Sequence, residues 1–118
     1  MSIAVTEEGS LLNCSVSGVL TKAEMDTLWQ RARHLIRRTG KIRVLLVARG
    51  FKGWKRGDNW EDTTFWDEHD SDVERIAIVA DERWKDDVLL FTGKPFRTPQ
   101  IEFFPESRMA DARAWVQT

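Results

Sequence analysis

Two segments of this chain, Ile42–Arg49 (IRVLLVAR) and Glu74–Ala80 (ERIAIVA), are apolar at nearly every central position and rich in β-branched residues. A strand with one wet face alternates apolar and polar residues. A strand that is apolar on both sides has to be covered on both faces. The two segments therefore predict central strands of a sheet, with helices supplied by the chain around them.

The flanking sequence supplies those helices. Thr21 is a good N-cap, and Glu24 three residues on completes a capping box. Lys22–Thr39 then reads as a helix, with Met25, Leu28, Trp29, Ala32, Leu35 and Ile36 on one stripe and Gly40 as the stop. Ahead of it, Ile3–Thr6 and Leu11–Ser17 read as a hairpin across Glu7–Ser10. In its second strand Leu12, Cys14 and Val16 alternate with Asn13, Ser15 and Ser17, so one face is packed and one is wetter. Gly50–Gly57 reads as a loop, and Asp58 as the cap of a helix over roughly 59–70. Asp81 caps a further short helix carrying Trp84 and Val88, Gln100–Phe104 is a last strand, and a terminal helix points Met109, Ala112 and Val116 inward. The order is ββαβαβαβα. It predicts an α/β fold in one domain over residues 1–118, with a mixed, roughly five-stranded sheet and about four helices.

Several classes of function are disfavoured at once. The longest strictly apolar run, Val44–Ala48, is far short of the ~20 residues that span a bilayer. The opening MSIAVTEEGS has no basic and apolar leader, so a cytoplasmic location is expected. The single cysteine, Cys14, excludes an internal disulfide and a multi-cysteine metal site. The net charge of −1 speaks against a dedicated nucleic-acid binder. That charge is unevenly spread: Arg31–Arg56 holds ten Lys/Arg and no acid, whereas Asp58–Glu74 holds eight Asp/Glu and no Lys/Arg. The segregation fits helix dipoles, or a dipolar surface that a second copy or an anionic partner would meet.

No catalytic constellation is visible. There is no Walker loop and no GxGxxG; the glycine-rich stretch from Gly50 to Gly57 carries bulky Phe51 and Trp54 where a phosphate needs close backbone approach. No serine sits in a nucleophile elbow, and mid-strand Cys14 reads as a small buried hydrophobe. On a helix over 59–70, Asp58, Asp62, Phe65, Trp66 and His69 share a face. Asp62 and His69 are thus a weak candidate metal or enzyme site, against the simpler reading of a charged helix start. The reading is of a non-catalytic protein with no cofactor and no metal.

The aromatic residues are the stronger signal. Phe51, Trp54, Trp60, Phe65 and Trp66 fall within sixteen residues beyond the carboxyl end of the central strand, the edge where open α/β sheets bind ligands. Lys52, Lys55 and Arg56 are interleaved with the first two. Aromatic bodies beside cationic tips suit an apolar tail with an anionic head. The candidate ligand site is Phe51, Lys52, Trp54, Lys55, Arg56 and Trp66, joined by Trp84 and Phe96 from later loops. It requires a cavity of a few hundred Å³ beneath Phe51 and Trp54. The competing reading is that these rings only seal the core or a dimer contact.

Four stretches carry a resemblance: Gly40-Lys-Ile-Arg-Val-Leu-Leu46, Phe51-Lys-Gly-Trp54, Glu74–Asp81 with Arg83-Trp84, and Ala110–Val116. In this order the chain resembles the SpoIIAA-like family of small bacterial proteins, related in fold to STAS domains and likened to CRAL-TRIO lipid carriers. The resemblance implies a helix-flanked sheet, a homodimer, and binding of a lipid-like molecule. STAS antagonists carry a phosphorylated serine just after the central strand. The matching stretch here, Arg49–Asn59, has no Ser or Thr and holds a fixed carboxylate, Asp58. The alternative function is therefore a regulatory protein-interaction module without the phospho-switch.

Overall fold

The computed structural model describes residues 3–60, 62, 64–92 and 99–118. Strands β1 (Ile3–Glu8) and β2 (Leu11–Val16) form an antiparallel hairpin. Gly9 turns it with φ +60°, a conformation that side chains rarely adopt. Helix α1 (Lys22–Thr39) has the bounds read from its capping box; the Thr21 N–H donates to Glu24 Oε1 at 2.9 Å, and the Glu24 N–H donates to Thr21 Oγ1 at 3.2 Å. It leads to β4 (Ile42–Ala48), which pairs in parallel with β2. Then come α2 (Thr64–His69), β6 (Val73–Ala80), α3 (Lys85–Thr92), β7 (Gln100–Pro105) and α4 (Met109–Gln117). The main sheet runs β1-β2-β4-β6-β7, with every pair after the first parallel. It is the expected mixed five-stranded sheet with four α-helices.

The sequence reading did not contain a second, two-stranded sheet. β3 (Gly18–Leu20) and β5 (Phe51–Trp54) pair in parallel, so the first half of the expected Gly50–Gly57 loop is a strand. The main sheet aligns Ser15 with Val47. Three residues beyond each stand Gly18 and Gly50, both with φ +66°, and the Gly18 N–H donates to the Gly50 carbonyl at 3.0 Å. Two neighbouring strands thus make the same left-handed step in register and pair again beyond it.

The sheet has a core on each face. α1 packs on β1, β2 and β4, whereas α4 packs chiefly on β6, β4 and β7. Period-two alternation divides β6: Ile76, Ile78 and Ala80 belong to the first core, and Ala77 and Val79 meet Ala112 and Val116 of α4 in the second.

The second helix is shorter than expected. α2 begins at Thr64, and Asp58 caps a different helix: its Oδ2 accepts the N–H of Lys22, the first residue of α1, at 2.8 Å. Asp62 opens α2 instead, accepting the Thr64 N–H at 3.0 Å and the Thr64 hydroxyl at 2.6 Å. Among the described residues no helix is long and apolar enough to cross a membrane.

Candidate functional site

The β3–β5 step carries Leu20, Phe51 and Trp54 over the face of the sheet that α1 covers. Between this roof and the sheet lies an apolar cavity of about 80 Å³. Its floor includes Val44, Leu46 and Ala48 of β4 with Ile76 and Ile78 of β6. α1 contributes Met25, Leu28 and Trp29, and the roof is closed by Phe51, Trp54, Trp66 and Val88. The lining is wholly hydrocarbon, indole and thioether. It is smaller than the few hundred Å³ the ligand reading required, and about half the ~150 Å³ cavity known to hold benzene. The expected volume is therefore corrected: indole and phenyl rings packed mostly edge to face leave a gap but not a chamber.

Two aromatic triads make that gap. In the first, Phe51 lies 5.0 Å from Trp54 and 5.1 Å from Trp84 between ring centres, and Trp54 lies 6.2 Å from Trp84, all edge to face. In the second, Trp29 stacks on Phe65 at 4.3 Å, and both meet Trp66 edge-on at 5.3 and 5.2 Å. Each triad sends two rings into the cavity wall: Phe51 and Trp54 from one, Trp29 and Trp66 from the other. Phe51 and Phe65 are buried, while the four tryptophans are half-buried and form the outer side.

The structure brings most of the expected site together. Phe51, Trp54 and Trp66 line the cavity; Trp84 does not line it but backs Phe51 and Trp54, with its ring edge 3.4 Å from where a side chain on Gly53 would begin. The Trp84 Nε1–H is buried and has no hydrogen-bond partner. Outside this wall runs an open groove of about 470 Å³, lined by Lys52, Gly53, Trp54, Arg56, Trp84, Asp87 and Leu90. Lys52 and Arg56 are exposed there. Lys55 is turned to Asp58 at 3.9 Å and stands outside the groove's lining. Phe96 lies outside the described residues. Sequence reasoning missed Trp29, which sat on the α1 stripe and read as ordinary core.

Ion pairs join the two charge runs at a few points. Arg33 meets Glu68 at 3.5 Å and Arg43 meets Glu74 at 3.4 Å. The Lys22 ammonium bridges Asp26 and, at 3.0 Å, Asp62, which ties the start of α2 to α1. Hydrogen bonds from Thr64, with Lys22 beside them, hold the Asp62 carboxyl well below the usual carboxylate range. Asp62 is committed to this clamp, and His69 Nδ1 lies 3.0 Å from Asp72. The shared helical face expected for Asp58, Asp62 and His69 does not form, because Asp58 and Asp62 lie outside the helix that carries His69. Cys14 is 2% exposed, and burial pushes its thiol up to about 12.

These features define a small mixed α/β sheet domain with an aromatic roof beyond the carboxyl ends of its central strands. A SpoIIAA-like family profile matches residues 11–117, and the chain belongs to that family. Among solved structures, the chain is similar to an uncharacterised protein of the DUF3478 family from Shewanella loihica, described as having a SpoIIAA-like fold. The two are 20% identical, with a TM-score of 0.74, over 98% of this chain and 94% of that one. No curated protein matches.

Proposed function

We propose that this protein is a non-catalytic module that binds a lipid-like ligand, an apolar tail with an anionic head. One observation carries the reading: Trp54 is the shared wall between an apolar cavity and an open groove holding two cations, Lys52 and Arg56, that have no ion-pair partner among the described residues. The head group sits in the groove, and the tail passes Trp54 into the cavity. At about 80 Å³ the cavity takes only the end of a chain, so Trp54 and Trp66 must swing outward to admit more. Both are half-buried, and their rotation exposes no buried charge. Leu90, 83% exposed at the groove edge, adds an apolar tip among the cations. The family resemblance supports a cytoplasmic homodimer.

Native mass spectrometry of freshly purified protein tests this, together with uptake from vesicles containing an anionic phospholipid. A bound lipid mass is expected, with uptake reduced in K52E/R56E and in W54A. Protein that is lipid-free and stays so after exposure to vesicles overturns the reading. The small cavity favours a second reading: a regulatory protein-interaction module whose 51–66 segment makes surface contact without opening. It predicts a stable protein partner on pull-down, lost in K52E/R56E, and no lipid.

A further inference from the structure

We propose that the part of the sheet left open beside α4 is a second binding site, for a small organic anion with an apolar body. It lies on the opposite face of β4 from the cavity and does not depend on the lipid reading. β4 serves both: Val44, Leu46 and Ala48 face the cavity, whereas Leu45 and Val47, with Arg49 just beyond the end of the strand, face a groove of about 490 Å³. That volume is within the range of small-molecule sites.

The sheet register builds the floor in two rows. Thr6, Asn13 and Leu45 are aligned across β1, β2 and β4, and Ala4, Ser15 and Val47 form the next row. All six line the groove. The wall comes from α4, where Met109 and Arg113, one turn apart, lean on the same side. α4 packs chiefly on β6, β4 and β7, which is why this part of the face is open.

Three observations fix the chemistry of the occupant. First, both polar atoms of the Asn13 amide are sealed from solvent and have no hydrogen-bond partner. An unsatisfied buried amide destabilises a fold, and rotation of the side chain into the groove would present two N–H donors and a carbonyl acceptor to an incoming polar group. Second, Arg49 and Arg113 reach the groove from different elements, and neither has an ion pair among the described residues. No carboxylate lines the groove. Guanidinium forks match carboxylate and phosphate oxygens. Third, Ala4, Val47 and Met109 supply apolar surface for a carbon skeleton. A second copy of the chain fits poorly. A two-fold interface sets each patch against itself, bringing four guanidiniums together with no acid between them.

The test is a titration of 15N-labelled protein with benzoate, with phenyl phosphate, and with neutral benzamide. The readouts are the Asn13 side-chain amide and the Arg49 and Arg113 Nε signals. Saturable shifts at these three groups are expected with at least one anion and not with benzamide. The two anions decide which head group is preferred. Affinity should fall about tenfold in R49A and in R113A, as for loss of one charge-assisted contact. Both side chains are exposed, so the variants keep the fold. No saturable shift with either anion overturns the proposal. So do shifts confined to the Lys52 and Arg56 region, equal binding of benzamide, or unchanged affinity in both variants. Concentration-dependent self-association that protects this groove overturns it as well.

Discussion

The two faces of the central strands β4 and β6 carry covers that are built differently. On one face α4 sets Ala112 and Val116, both 0% exposed, against Ala77 and Val79 of β6. Small side chains let the helix approach closely. Its C-terminal carbonyls are fastened by two strand arginines: Arg75 donates to the Trp115 carbonyl at 2.7 Å, and Arg43 to the Val116 carbonyl at 3.0 Å. On the other face, large flat rings from α1, β5 and α2 bridge a wider gap and leave a cavity of about 80 Å³. A close-packed cover with a fastened C-terminus has nothing to yield. A cover of half-buried indoles on two buried phenyl rings can open at the cost of a few ring contacts, each worth about 0.5–1.5 kcal/mol.

The contrast can be broken most directly at Phe65, the buried ring that anchors the second triad. F65A should cost about 3–5 kcal/mol in urea denaturation. A much smaller loss would mean that the aromatic roof contributes little to the fold. Enlarging one alanine on each face then sharpens the comparison. A112L, in the tight cover, should cost about 1–3 kcal/mol through overpacking. The clamp that holds the roof to α1 is weaker: D58A removes the acceptor for the Lys22 N–H and should lower stability by about 1 kcal/mol. A48V, in the loose cover, grows into the cavity. It should raise stability by about 0.5 kcal/mol in the same denaturation assay while reducing lipid uptake. A loss in A48V as large as that in A112L would show that the two faces pack alike.

The smallest expected effect is a pH dependence at Asp62. Its folded carboxyl titrates below the ordinary value, so its contribution is fully present above the ordinary carboxylate range. That contribution is lost as pH falls through that range toward the lowered folded value. The difference in melting temperature between the wild type and D62N should be constant near neutrality and vanish in strong acid.

Legibility in the sequence varied with how local the signal was. The α1 bounds followed from Thr21, Glu24 and Gly40 because capping is settled within a few residues. Asp58 was assigned to the helix next to it in sequence, whereas the N–H it accepts, that of Lys22, lies 36 residues away. The aromatic cluster was legible as a cluster, and Phe51, Trp54 and Trp66 do share a cavity wall. Its size was not legible, because a void depends on how rings from four elements meet. Gly18 and Gly50 were visible as glycines, but their common role appears only when β2 and β4 are aligned side by side. The wetter face of β2 was read from Asn13 and Ser15, without any sign that Arg49 and Arg113 would join it.

By itself the sequence determined the order of the main-sheet strands and the helices, the burial of β4 and β6, and the extent of α1. Each is written in periodicity or capping over a few turns of chain. Tertiary structure alone decided which strands bend together, which helix Asp58 caps, and how much space the tryptophans enclose. Those outcomes depend on contacts between segments distant in sequence, whose relative placement no local pattern encodes.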